Sequence, residues 1–236
     1  MSSRIKEAII LAGGLGTRLR SAVPELPKCM APVNGQPFLG YVIRYLQDQG
    51  IEQFIFALGY KQEYFLDFLQ QTLPAGNYRL SVEKEPLGTG GAIRYAASLA
   101  GSDQVLVTNG DTLFKGNLDE LSVFHSVKQS NCTLLLKPMQ QFDRYGVVNL
   151  DSEGRIDRFR EKQFYASGLI NAGMYALQLP PFLAAALPEK FSFEKEYLEA
   201  LHGQGHFYGL VQDAYFIDIG IPEDYTRAAK ELSAAE

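Results

Sequence analysis

The run Ala8-Ile9-Ile10-Leu11 leads without a break into Ala12-Gly13-Gly14-Leu15-Gly16-Thr17-Arg18-Leu19-Arg20. The four apolar residues read as a buried β-strand, and the glycines that follow let a backbone come close to a ligand. Two arginines lie within the same loop. A strand opening into a glycine-rich, cationic loop is suited to phosphate, because clustered backbone N–H groups and a guanidinium fork both bind phosphate oxygens. A dinucleotide-binding loop requires G-x-G-x-x-G. Gly14-Leu15-Gly16-Thr17-Arg18-Leu19 supplies the first two glycines and has Leu19 in the third place. A P-loop requires glycine followed by lysine, and Gly16 is followed by Thr17. What remains is a cradle of N–H donors with Arg18 behind it, able to wrap a triphosphate.

Outward from this loop, strands are predicted over 7–11, 53–58, 78–82 and 104–108, and helices over 38–49, 61–71 and 90–99. The alternation implies a mainly parallel, Rossmann-like sheet with helices on both faces. Ligands of such sheets bind beyond the carboxyl ends of the strands. The glycine loop and Asn109-Gly110-Asp111 both belong on that edge. Beyond Asp111 the pattern changes. A helix is predicted over 118–128, and strands over 133–137, 146–150, 156–160, 172–177, 207–211 and 215–219. Helices are predicted over 194–201 and 222–232, and Asp151-Ser152-Glu153-Gly154 reads as a hairpin turn. This half reads as an antiparallel elaboration of the same domain, so 1–236 is expected to be one domain with halves at 1–111 and 112–236.

The net charge of -5, with no basic block, argues against nucleic acid as a partner. No apolar run is long enough to span a bilayer. The N-terminus runs directly into a strand without a leader-like segment, so a cytoplasmic location is expected. Cys29 and Cys132 form no metal-binding spacing and read as reduced thiols. His125, His202 and His206 have no arrangement suited to acid–base chemistry.

Residues 11–19, with Pro27-Lys28 after them, resemble the signature of the sugar-1-phosphate nucleotidyltransferases, written G-G-x-G-T-R-L and then P-K. The likeness continues through Leu87-Gly88-Thr89-Gly90-Gly91, Asn109-Gly110-Asp111, Tyr145-Gly146, Glu161-Lys162, Asn171-Ala172-Gly173 and Asp218-Ile219-Gly220. It implies the nucleotide-diphospho-sugar transferase fold. It also implies attack by a sugar 1-phosphate on the α-phosphorus of an NTP, with release of pyrophosphate. Catalysis of that kind rests on positioning and charge neutralisation.

The resemblance assigns Leu11, Ala12, Gly13, Gly14, Gly16, Thr17, Gly88, Thr89, Asn109 and Gly110 to the nucleotide. Arg18 is assigned to the leaving pyrophosphate, Lys28 to the α-phosphate and Lys162 to the sugar phosphate. Glu161, Asn171 and Gly146 are assigned to the sugar, and Asp111 and Asp218 to a shared Mg²⁺. The Gly88–Gly91 turn is expected to let a flat base lie on its backbone. Guanine offers two donors on one edge, which a carboxylate can accept. Glu85 is the preferred base reader and Glu83 the alternative, and either favours GTP over UTP or CTP.

Within the family the chain most resembles the D-glycero-α-D-manno-heptose 1-phosphate guanylyltransferases, on residues 85–93, 191–195 and 216–225. It departs from the common pattern at Cys29 and Ile221, neither of which removes a catalytic group. The chain ends soon after the Asp218 motif, so no second activity is expected, while a homodimer is compatible with the family. The competing readings are a uridylyl- or cytidylyltransferase and a non-catalytic nucleotide-sugar-binding module. The second is disfavoured because Arg18, Lys28, Asp111 and Asp218 are all present.

Overall fold

The computed structural model describes residues 4–14, 26–59 and 61–232. In the first half, β1 (Glu7–Leu11), β4 (Gln53–Leu58), β5 (Tyr78–Val82) and β6 (Gln104–Asn109) pair in the order β6-β1-β4-β5, all parallel. A short hairpin, β2 (Pro32–Val33) with β3 (Gln36–Pro37), precedes α1 (Phe38–Asp48). Pro37 immediately before α1 and Gly50 with φ 84° just after it delimit that helix in the way these residues favour. Helices α2 (Glu63–Thr72) and α3 (Gly88–Ala97) supply the other crossovers.

The second half extends the same sheet. β7 (Thr112–Phe114) and α4 (Leu118–Val127) lead to β8 (Cys132–Phe142), β9 (Val147–Leu150), β10 (Ile156–Arg160) and β11 (Tyr165–Gln178). β11 runs antiparallel beside β6, with β9 meeting the same edge at Ile170 and β8 along its other edge. After α5 (Leu179–Ala184) and a π-helical turn, Phe193–Glu199, come β12 (Phe207–Val211), β13 (Phe216–Asp218) and α6 (Pro222–Glu231). β12 closes the far edge parallel to β8, and β13 pairs separately with β7. The mainly parallel sheet with an antiparallel extension is the architecture the sequence implies. Strand β11 is longer than expected, and residues 193–199 wind as a π-helix rather than an α-helix.

The sheet is apolar on both faces, as buried parallel strands require. Along β1, Ala8 and Ile10 join one core and Ile9 joins the other. The first core takes Phe65 and Leu69 of α2, Leu121 of α4, Ala228 of α6 and most of α1. The second takes Ile93 and Ala96 of α3, Phe182 of α5, and Phe193 and Tyr197 of the π-helical turn. Among the described residues no helix is long and apolar enough to cross a membrane. Both cysteines are free and buried, and burial pushes both thiols above their usual range.

His125 is buried on α4, 2.9 Å from the Thr133 hydroxyl through Nδ1, and burial lowers its pKa to about 4. Between its ordinary value of about 6.5 and this one, the unfolded chain binds a proton that the folded chain does not. Stability therefore falls as pH falls through that window, by up to about 3 kcal/mol from this group. Urea unfolding at pH 7 and pH 4.5 should show a larger loss for wild type than for His125→Asn, whereas equal losses would contradict the assignment.

Candidate active site

Parallel pairing sets Leu11 beside Asn109, and the Gly110 N–H donates to the Leu11 carbonyl at 2.9 Å. The glycine loop and the Asn109-Gly110-Asp111 turn therefore leave the sheet side by side. The β7–β13 ladder pairs Thr112 with Asp218, and the Ile219 N–H donates to the Asp111 carbonyl at 3.1 Å. Backbone register thus brings two carboxylates 107 residues apart in sequence onto one edge of the fold.

Lys28 lies between them. Its Nζ is 2.6 Å from Asp111 Oδ2 and 3.1 Å from Asp218 Oδ1. The lysine side chain is 13% exposed. Burial alone would lower its pKa, but the charges of Asp111 and Asp218 more than offset that and hold it above the usual lysine value. Lys28 belongs to a 3₁₀ turn, Lys28–Met30, that follows Pro27. Among the described residues no group of three or more His, Cys, Asp or Glu gathers as a metal site. The Asp111–Asp218 pair nevertheless suits a hard divalent cation such as Mg²⁺, which is commonly held by one or two carboxylates together with substrate phosphates.

Two cavities meet at this cluster. The first, about 420 Å³, lies between Leu11, Ala12, Gly13 and Gly14 on one wall and Glu83, Pro86, Gly88 and Thr89 on the other. The second, about 500 Å³, is lined by Tyr145, Gly146, Glu161, Lys162, Asn171, Gly173 and Asp218, with Glu199 at its margin. Lys28, Asn109, Asp111 and Glu194 line both. The sequence-predicted residues thus divide between adjoining compartments. Gly110 lines neither, and its N–H is used by Leu11. Gly16, Thr17 and Arg18 lie outside the described residues.

Several local devices hold the second cavity. The register of β11 against β8 shifts between Asn171 and Tyr175, a bulge of the kind that re-aims side chains beside functional sites. Asn171 donates from Nδ2 to the Tyr175 hydroxyl at 2.9 Å and accepts from the Gly173 N–H at 2.9 Å. Gly173 has φ 72°, and a Cβ there would sit 2.6 Å from Asn109 Nδ2. Lys162 forms no ion pair among the described residues. Arg144 pairs with the buried Asp224 of α6 and so ties the Tyr145-Gly146 turn to the helix that follows Asp218.

In the first cavity the structure separates the two glutamates. Glu83 lines the cavity, and its Oε2 accepts the Leu87 N–H at 2.9 Å. Burial raises its pKa, opposed by that hydrogen bond. Glu85 is exposed and is not part of the lining. The preferred sequence reading therefore falls on the neighbour of the residue that faces the cavity. Glu83 directly follows β5, and the alternation of the strand does not carry reliably into the turn after it.

The Gly88–Gly91 turn also differs from expectation. The N–H groups of Gly90 and Gly91 donate to the Phe191 carbonyl at 3.0 and 3.4 Å, so they are not open to a base. A Cβ on Gly88 would lie 2.5 Å from the Phe191 carbonyl oxygen, and one on Gly91 would lie 2.6 Å from that of Glu189. The glycines admit the 189–191 segment of the chain itself. Gly88 and Thr89 still border the first cavity. Glu194, carried on the π-helical turn, belongs to the 191–195 stretch that carries the resemblance, but the sequence assigns it no role in the site.

With this geometry in place, comparison with known proteins is decisive at the level of family. Residues 7–235 match the nucleotidyl transferase family model. The chain belongs to the nucleotidyl transferase family. It is 47% identical over 226 residues to D-glycero-alpha-D-manno-heptose 1-phosphate guanylyltransferase of Aneurinibacillus thermoaerophilus, covering 96% of this chain and 98% of that one. It is 44% identical over 219 residues to the Campylobacter jejuni protein of the same name, covering 93% and 96% of the two chains. HddC from Yersinia pseudotuberculosis, solved complexed with GMP-PN, superposes with a TM-score of 0.84 at 36% identity over 96% of this chain and 99% of that one. In this chain Lys28 and Asp111 line both adjoining cavities, and Asp218 lines the second.

The packing of the Gly88–Gly91 turn gives a stability test. Gly91→Ala removes an unfavourable helix residue, worth roughly 0.5–1 kcal/mol in isolation. The clash with Glu189 and Leu87 costs more, typically about 1–3 kcal/mol for overpacking. Gly91→Ala should therefore unfold at lower denaturant concentration than wild type, and a stabilised variant would overturn this account of the turn.

Proposed function

We propose that this chain transfers GMP from GTP to D-glycero-α-D-manno-heptose 1-phosphate, forming the GDP-sugar and releasing pyrophosphate. The observation that carries this reading is near full-length identity of 47% to a heptose 1-phosphate guanylyltransferase, on a fold whose two cavities share Lys28 and Asp111. In the reaction, an oxygen of the sugar phosphate forms a bond to the α-phosphorus. The bond from that phosphorus to the β-bridging oxygen breaks, and pyrophosphate departs with the bonding pair. Both substrates are anions, so the main barrier the protein must lower is their mutual repulsion.

GTP occupies the first cavity, with its phosphates over Leu11 to Gly14 and its base toward Glu83. The free oxygen of Glu83 accepts from guanine, whose N1–H and exocyclic amine present two donors on one edge. This role belongs to Glu83 in place of Glu85. Lys28 faces the α-phosphate at the junction and offsets the charge that builds there. Lys162 holds the phosphate of the incoming sugar, and Glu161, Asn171 and the Gly146 backbone hold its ring. Gly16, Thr17 and Arg18 are assigned to the triphosphate, and Arg18 to the charge of the leaving pyrophosphate. Asp111 and Asp218 would hold Mg²⁺, which when bound supplies charge neutralisation to the phosphates of both substrates. No step requires a covalent enzyme intermediate.

Pyrophosphate release should be measured with GTP, UTP, CTP and ATP against a panel of sugar 1-phosphates. GTP with the heptose 1-phosphate should give the highest kcat/KM, and turnover confined to another pair would refute the assignment. Asp111→Asn should lower kcat by about a hundredfold or more, as expected when a group stabilising transition-state charge is lost. Glu83→Gln should reduce the preference for GTP over UTP by at least about tenfold, because the site then leaves one guanine donor unpaired. Glu85→Gln should leave that preference unchanged, and the reverse pattern would restore Glu85 as the base reader.

A further inference from the structure

Glu194 is the acidic residue, besides Asp111, that borders both cavities, and the mechanism above leaves it without a task. Its Oε2 accepts from the Thr89 hydroxyl at 2.8 Å and from the Ser192 hydroxyl at 3.0 Å. Thr89 Oγ in turn accepts the Phe193 N–H at 2.8 Å, which fixes the direction in which that hydroxyl donates. Glu194 Oε1 has no hydrogen-bond partner among the described residues. A half-buried carboxylate held by two donors on one oxygen, with the other oxygen free, is a preorganised acceptor.

The neighbouring wall supplies a matching donor. Asn171 spends one amide hydrogen on the Tyr175 hydroxyl and its carbonyl on the Gly173 N–H, which leaves a second amide hydrogen on the same side chain. Tyr175 is fully buried apart from its place on the lining of the second cavity, where its hydroxyl accepts from Asn171. Asn171, Tyr175, Ser192 and Glu194 all line the second cavity. The π-helical winding of 193–199 contributes to this arrangement. It packs more residues into a turn than an α-helix does, so Glu194, Lys195 and Glu199 reach the same cavity from a single short segment.

We propose that Glu194 is a specificity-determining residue for the acceptor sugar, its free oxygen accepting a hydrogen bond from a hydroxyl of the bound sugar 1-phosphate while Asn171 donates to a neighbouring sugar oxygen. Thr89 and Ser192 are then positioning residues that aim the carboxylate. The inference rests on the reading of the second cavity as the sugar phosphate site. It also gives the threonine of the glycine-rich turn a task on the sugar side of the site.

The test is steady-state kinetics on wild type, Glu194→Gln and Thr89→Ser, using GTP with the heptose 1-phosphate and with its monodeoxy analogues. Glu194→Gln should lower kcat/KM for the heptose 1-phosphate roughly ten- to hundredfold, as loss of a hydrogen bond to a charged group implies. The KM for GTP should stay within about twofold, which also reports an intact fold. One deoxy analogue should suffer the same loss with wild type and no further loss with Glu194→Gln. Thr89→Ser, which keeps the hydroxyl that Glu194 accepts from, should retain the wild-type ratio of kcat/KM between the heptose 1-phosphate and its deoxy analogues. Equal losses on every analogue would overturn the proposal. So would a loss confined to GTP that disappears with 2′- or 3′-deoxy-GTP, since the carboxylate would then read the ribose. Calorimetric binding of the sugar 1-phosphate to wild type and Glu194→Gln tests the same contact without turnover. Weaker binding to the variant supports the proposal even if the wild-type enzyme proves inactive with GTP, an outcome that would refute the guanylyltransferase reading alone.

Discussion

Lys28 holds Asp111 and Asp218 together at the carboxyl edge of the sheet, and most of the site is arranged around that contact. Each member arrives on a different piece of backbone: a 3₁₀ turn, the end of β6 and the end of β13. Removing Lys28 would leave two partly buried carboxylates uncompensated, whereas removing either aspartate would leave Lys28 paired with the other. The two cavities meet at Lys28 and Asp111, so both open onto the same small cluster of charge. One lysine between two aspartates leaves the cluster with a surplus of negative charge, so it suits a divalent cation better than it suits bare phosphate.

The parallel core was legible because its strands are continuous apolar runs separated by amphipathic helices, and that pattern has few alternatives. The motifs ending those strands, Leu11 to Gly14 and Asn109 to Asp111, could be placed on one edge from topology alone. Strand β11 was only partly visible. Gly168, Asn171 and Gly173 interrupt its alternation, and those interruptions are the bulge that shapes the second cavity. Glu83 and Glu85 could not be separated for a related reason. They stand two residues apart, so the alternation of a strand puts both on one face and cannot choose between them.

The largest gap between sequence and structure concerns the Gly88–Gly91 turn. Read alone, it is a small-residue loop suited to a flat base. In the fold its glycines receive residues 189–191, and its threonine bonds to Phe193 and Glu194, about a hundred residues away. No local pattern could reveal this, because the constraint is a close approach between distant segments. The consequence is a physical link between the wall of the first cavity and the segment that lines the second.

The central claim is direct transfer of a nucleotidyl group between two phosphate-bearing substrates held in adjoining compartments. Incubation of the protein with GTP labelled at the α-phosphorus, the heptose 1-phosphate and Mg²⁺ tests it most directly. The account predicts that the label appears in the GDP-sugar, in amounts equal to unlabelled pyrophosphate, with none attached to protein. Label retained on the protein, or pyrophosphate released without a labelled sugar nucleotide, would contradict it.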